Sequence, residues 1–388
     1  MTHEPRRQPV VIVAGLVLLL FVAGARAAQD KLPASIPDAE FWSLTERLSE
    51  PNGTFRSDNL LSNEMTVSAV AAQLAARTKP GSVYLGVGPE QNFTYIAAMR
   101  PRIAFITDIR RGNLHLHLMY KALFELSADR AEFVSRLFTK PRPAALTEKS
   151  TAADLMTAYW DIQTSAEAVY KTNLQAIKEV LVKKHGFPLS ADDLSGLEYV
   201  YHAFYWFGPA INYSSSSSGA IGGRSTYADL MMTVDETGTE RSYLAAEDNF
   251  RFLKTMHSKN LIVPLVGDFA GPKALRAVGD FVRQHRAVVT AFYVSNVESY
   301  LTRGGVWPTF CENVATMPLD AASVFIRPSM SVLVIRGGTS SPPIAVSGAG
   351  VPVSGRAGTV IVMRSGPTRS SVRTSTFGAI AEEVRSCR

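Results

Sequence analysis

Four short apolar runs punctuate the chain: VYLGVG (83–88), RIAFITDI (102–109), LIVPLVGDF (261–269) and VVTAFYVS (288–295). Each is rich in β-branched and aromatic residues and lacks strict alternation, the pattern of strands buried on both faces of a parallel sheet. A helical pattern follows each run: a short one ending at Pro101, then LHLHLMYKALFEL, GPKALRAVGDFVRQH and the short SNVESYL. Strand and helix in alternation predict an α/β domain, Rossmann-like and doubly wound, with a mainly parallel sheet. Upstream, a helical patch around Phe41 to Leu48 ends before the turn Pro51-Asn52-Gly53. The polar stretch FRSDNLLSNE then leads to a helix with Val67, Val70 and Leu74 on one face, stopping before Pro80-Gly81.

A long helical insertion, at about 145–258, separates the two strand pairs. It holds TAYWDIQTSAEAVYKTNLQAIKEVLVKKHG, ending at Gly186, and DDLSGLEYVYHAFYWFG, ending at Gly208-Pro209. Within it SSSSSG (214–219) reads as a flexible loop, and the aromatic YVYHAFYWF (199–207) as core of the insertion rather than a stacking platform. An insertion of this size builds a lid or wall over the ligand edge of a sheet, or serves packing alone. The tail, 331–388, is rich in Gly, Ser, Pro and Arg and is expected to be disordered.

Residues 1–27 differ from the body, 28–330. Arg6 and Arg7 precede an uncharged run from Val10 to Ala25, and Ala25-Arg26-Ala27 fits a small-x-small cleavage site. This reads as a secretory signal; an uncleaved anchor competes, because the run is near the lower limit for spanning a bilayer. The body is then exported, either periplasmic or anchored to the inner membrane and facing the periplasm, with membrane contact through this segment alone. If the segment is neither signal nor anchor, the body is cytosolic.

Charge is unevenly distributed along the chain. The formal +6 includes three Arg and one Glu in residues 1–27 and seven Arg and two Glu in 331–388, which leaves the body at −1. A near-neutral body lacks the clustered Lys and Arg of a nucleic-acid groove, so no nucleic-acid partner is expected. Cys311 and Cys387 would meet an oxidising compartment after export, and a bridge between them stays open.

The candidate chemistry begins at Gly86 and Gly88, where the chain leaves a strand and glycine lets a ligand approach the backbone. Asp108 ends the next strand, twenty residues after Gly88, where an acid can accept hydrogen bonds from ribose hydroxyls. A packing turn uses the same glycines. A dinucleotide fingerprint wants a third glycine where Gln91 stands, which counts against NAD. A ligand without phosphates, such as S-adenosylmethionine, tolerates Glu90, Gln91 and Asn92, whose side chains can hydrogen-bond an amino-acid moiety. Arg110 and Arg111 beside Asp108 meet an anionic group or are solvated charges at a helix start.

The segments GVGPEQNFTYIA, FITDIRRGNLHLHLMYKALFEL, RSDNLLSNE, RSYLAAEDNFRFLK, NLIVPLVGDFAGPKALRAVG and TAFYVSNVESYL closely resemble an uncharacterised bacterial protein family, itself similar in fold to class I S-adenosylmethionine-dependent methyltransferases. The resemblance covers roughly residues 40–327. It implies a Rossmann-like domain in which Gly86, Gly88 and Asp108 hold the methionine and ribose parts of the cofactor. It also implies that Asp268, at the end of LIVPLVGDF, faces the methyl acceptor.

Other constellations are weighed beside it. Ser57, Asp58, Asn59, Ser62, Asn63 and Glu64 form a polar cluster that either folds over the ligand edge or caps a helix. Phe292, Tyr293, Ser295, Asn296 and Tyr300 surround the end of the fourth strand, and Asn296 either contacts a ligand or caps the next helix. His115 and His117 diverge by about 200° on a helix, so no metal site is expected. The absence of a Gly-x-Ser-x-Gly elbow makes a hydrolase a distant third reading.

The leading expectation is a methyltransferase that binds S-adenosylmethionine or a related nucleoside, with Asp268 or Asn296 orienting an unspecified acceptor. Because that cofactor is cytosolic and the body is expected outside, the alternative is an exported envelope ligand-binding or interaction module on the same fold, without catalysis.

Overall fold

The computed structural model describes residues 31–78, 80–213, 225–332 and 371–380. The expected signal segment, the serine run and most of the tail lie outside them. Among the described residues the fold is mixed α/β, with thirteen α-helices and one six-stranded, mostly parallel sheet.

In chain order the elements are α1 (Asp38–Leu48), α2 (Val67–Arg77), β1 (Val83–Gly86), α3 (Gln91–Met99), β2 (Ile103–Asp108) and α4 (Arg111–Leu126). After α5 (Arg130–Phe138), the insertion follows as α6 (Ala152–Trp160), α7 (Glu167–Glu179), α8 (Ala191–Phe207), α9 (Tyr227–Met231) and α10 (Glu247–Ser258). The chain then returns to the sheet as β3 (Ile262–Val266), α11 (Ala274–Gln284), β4 (Val289–Tyr293), α12 (Val297–Arg303), α13 (Trp307–Ala315), β5 (Val324–Val332) and β6 (Ser371–Ala379).

The strand order is β3-β2-β1-β4-β5-β6. The first five strands run parallel and β6 pairs antiparallel with β5. All four apolar runs are strands, and β1, β2 and β3 are buried along their whole length, which is why they show no alternation. Because the strand order reverses at β1, the connections that leave the carboxyl ends of β1 and β4 run to opposite sides of the sheet. A crevice opens there.

Two strands lie beyond the sequence-based expectation. β5 carries Pro328, which lies past the last residue paired with β4 and, lacking an N–H, argues against a strand in sequence. β6 falls in the segment expected to be disordered; Ile380, just after it, is buried and donates its N–H to the Ser323 carbonyl at 3.1 Å.

The insertion packs against α4 and shares one core with the sheet layer, Phe204 meeting Tyr120 edge to face at 5.9 Å between ring centres. Tyr201 and Phe204 of α8 are fully buried while Tyr199 and Trp206 on its other face are 52% and 68% exposed. Arg130 is buried at the insertion's entrance, donating to Glu247 Oε2 at 3.0 Å and to the carbonyls of Leu244, Glu148 and Ser150 at 2.6–2.8 Å. Cys311 of α13 is disulfide-bonded; the chain's other cysteine, Cys387, lies outside the described residues. Among the described residues, no helix is long and apolar enough to cross a membrane.

Candidate functional site

A cavity of about 250 Å³ lies at the carboxyl edge of β1, β2, β3 and β4. From the expected site residues it collects Gly88, Asp108, Arg110, Asn59, Asn63, Tyr293, Asp268 and Asn296. Phe55, Phe269, Tyr300 and Tyr213 complete an aromatic wall, the last from the insertion. Phe55 and Tyr300 meet edge to face at 5.1 Å between ring centres.

The turn after β1 shows why the two glycines differ. A Cβ on Gly86 would lie 1.9 Å from Asn92 Oδ1, so this glycine makes room for Asn92. Asn92 is fully buried and laces the turn together: its amide donates to the carbonyls of Val87, Gly88 and Pro89 at 3.0, 3.2 and 2.7 Å, and its oxygen accepts from Tyr84 at 2.8 Å. Gly88 has a left-handed backbone, φ 75°, and a Cβ there would meet nothing within 4 Å. It is Gly88 that opens onto the cavity.

Glu90 and Gln91 turn inward like Asn92, and none of the three lines the cavity. The backbone N–H of Ser62 donates to Glu90, and burial pushes the Glu90 carboxyl up to about 8, against the opposing pull of backbone N–H groups. Gln91 donates to Tyr95 Oη at 2.5 Å and Glu64 Oε2 at 3.2 Å, and accepts from Ser62. Since Gln91 does not reach the ligand edge, the obstacle to a pyrophosphate is instead Pro89, which lines the cavity and has no N–H to give.

Asp108 faces the cavity with both oxygens engaged: Arg110 donates Nε to Oδ1 at 3.0 Å and Nη2 to Oδ2 at 3.1 Å. The same guanidinium donates to the carbonyls of Ser57 and Asp58. Arg110 therefore braces the 55–63 loop against β2. Ser57 and Asp58 do not line the cavity, and Asp58 accepts from the Tyr199 hydroxyl of α8 at 2.6 Å. Asn59 does line it, with a left-handed backbone (φ 46°) and a buried Oδ1 that has no hydrogen-bond partner among the described residues. Buried polar atoms left open in this way are rare.

On the opposite wall, Glu64 is buried behind the lining residues rather than among them. Its Oε1 accepts from Tyr293 and Ser295, each at 2.8 Å. Burial, reinforced by Glu64 and Tyr95, holds the Tyr293 phenol well above its ordinary range, so it stays a donor. Asp268 is half-buried and accepts from Ala270 N at 2.9 Å. Asn296 precedes α12 without capping it through its side chain, and lines the cavity instead.

Two contributors, His117 and Glu50, were not expected from sequence. His117 is buried and its Nε2 lies 2.9 Å from the Gly88 carbonyl; a carbonyl only accepts, so Nε2 carries the proton. Burial pulls His117 down to about 4, against the Gly88 hydrogen bond and the Asp108 charge. Glu50 accepts from the backbone N–H groups of Asp268, Lys273 and Ala274 at 3.0, 2.7 and 2.8 Å, fixing the start of α11 from far away in sequence. Ser295 adds a positive φ of 47°. His115 pairs with Asp193 at 2.9 Å, away from His117, and among the described residues no His, Cys, Asp and Glu cluster could hold a metal ion.

No curated protein matches the chain. A family described as Domain of unknown function (DUF7790) matches it over residues 60–189 and 221–338, which include β1 to β4 and the cavity-lining residues from Leu61 to Val306 other than Tyr213. With more than half of its length so matched, the chain belongs to that family.

Proposed function

We propose that the chain is a methyltransferase-like protein on a Rossmann-like sheet, and that its cavity binds S-adenosylmethionine or a related nucleoside. The observation that carries this reading is the strand order, with a ligand cavity at the crevice between β1 and β4. Gly88 would let the ligand approach the backbone, and Asp108 would accept from its ribose once Arg110 gives way. Phe55, Phe269 and Tyr300 offer ring faces to an adenine or a sulfonium cation. Asp108 and Asp268 outnumber Arg110 on the lining, which favours a cationic ligand over a pyrophosphate. The cofactor supplies an activated methyl group; the chain supplies alignment of an acceptor beside Asp268 and Asn296.

A second reading, an exported ligand-binding module without catalysis, is favoured by two observations. Both Asp108 oxygens are taken by Arg110, and a disulfide at Cys311 suits an oxidising compartment, where the cytosolic cofactor is not made. Thermal unfolding of the full chain with millimolar S-adenosylmethionine, S-adenosylhomocysteine or NAD tests the first reading. It predicts that the two S-adenosyl compounds raise Tm and NAD does not; no rise with either S-adenosyl compound sinks it.

A further inference from the structure

Ser295 stands where the chain leaves β4 and turns into α12, with a left-handed backbone of φ 47°. Residues other than glycine adopt that conformation rarely, and such strain clusters where a side chain is presented rather than packed. Ser295 lines the cavity, and its Oγ donates to Glu64 Oε1 at 2.8 Å. Glu64 is fully buried and held from two further sides, by the Tyr293 hydroxyl at 2.8 Å and by Gln91 Nε2 at 3.2 Å. A hydroxyl on a cavity wall, a carboxylate within reach of its proton and groups that orient the carboxylate are the components of an activated nucleophile. They are assembled here without a Gly-x-Ser-x-Gly motif, because Ser295 gets its exposure from the β4–α12 turn and its base from the segment before α2.

We propose that Ser295 is a nucleophile toward carboxylic esters, with Glu64 as its base. Ser295 Oγ forms a bond to the ester carbonyl carbon while its proton passes to Glu64 Oε1. The carbon–oxygen bond to the alcohol then breaks, and the leaving oxygen takes the proton from Glu64. Water clears the acyl-serine by the same route in reverse, its proton passing to Glu64 and back to Ser295. Asn296, on the same wall and not engaged in capping α12, supplies an amide donor for the developing oxyanion. The proposal needs no cofactor and is independent of the nucleoside reading.

A reporter-tagged fluorophosphonate tests it on the full chain, because Ser295 Oγ would displace fluoride from phosphorus as Glu64 takes the proton. Peptide mapping by mass spectrometry is expected to find the tag on Ser295, with none at that peptide in Ser295→Ala. Glu64→Gln is expected to slow tagging on the order of 10²-fold, the scale of a general base. No tag on Ser295, or a tag whose rate is unchanged by Glu64→Gln, overturns the proposal. Should Glu64→Gln fail to fold, Tyr293→Phe, which keeps the carboxylate and removes one group that orients it, is read in its place, and a tagging rate unchanged by it overturns the proposal.

Discussion

At the residue scale, the two glycines of one turn have separate tasks. Gly86 lies under Asn92, whereas Gly88 faces open space in a backbone that disfavours a side chain. Gly86→Ala should therefore lower stability strongly, since its Cβ collides with the side chain that laces the turn. Gly88→Ala should cost about 1 kcal/mol, the scale of a single left-handed residue, and should mainly weaken ligand affinity by filling the cavity. Urea denaturation separates the two; equal losses would contradict the assignment. Glu90 and His117 carry opposite pH dependences. Glu90 is raised from 4.5 to about 8 by burial, so the folded state holds its proton more tightly and that stability is lost as pH rises from about 4.5 through about 8. His117 is lowered from 6.5 to about 4, so its contribution is present above about 6.5 and lost as pH falls through about 4. Glu90→Gln should gain on the native chain progressively between pH 5 and 8 in urea melts. A constant difference across that window would show that Glu90 does not titrate as described.

At the element scale, Arg130 joins the start of α5 to the segment before α6 and to Glu247 at the start of α10. Removing one partner of a buried ion pair leaves the other unpaired, and Arg130→Ala should cost about 3–5 kcal/mol by calorimetric melting. Beyond β5, Ile380 is fully buried, and Ile380→Ala should cost about 2–5 kcal/mol if β6 is seated as described. No loss would show that this strand does not hold. The strands β1 to β4 were legible because their burial leaves near-continuous apolar runs. β5 and β6 were not, since Pro328 interrupts one and SVRTSTFGA reads as polar tail. Asn59, named from the polar cluster, and Asn296, named from its place after the fourth strand, both line the cavity, as does Asp268, which only the family resemblance pointed to. Gln91 and Asn92 show the limit of that logic: polar side chains at a helix start look alike whether they meet a ligand or knit the turn. His117 and Glu50 gave no local signal, because their partners lie 29 and over 200 residues away.

At the scale of the whole molecule, one sheet edge gathers residues from the polar cluster, four strand ends and the insertion around a single cavity. Its floor is laced from inside by Asn92, Gln91 and Glu64, so the lining side chains stand on a hydrogen-bonded layer. Such support fixes a site within narrow geometric limits. The insertion contributes Tyr213 to the cavity and Tyr199 to the bracing of Asp58, which makes it both packing partner and wall. Whether this cavity takes an S-adenosyl nucleoside is tested by isothermal titration calorimetry of the full chain with S-adenosylmethionine, beside Gly88→Ala. The account predicts saturable heat at one site per chain and a weaker affinity for Gly88→Ala with its fold intact. Heat of dilution alone in the native chain, or binding unchanged by Gly88→Ala, would contradict it.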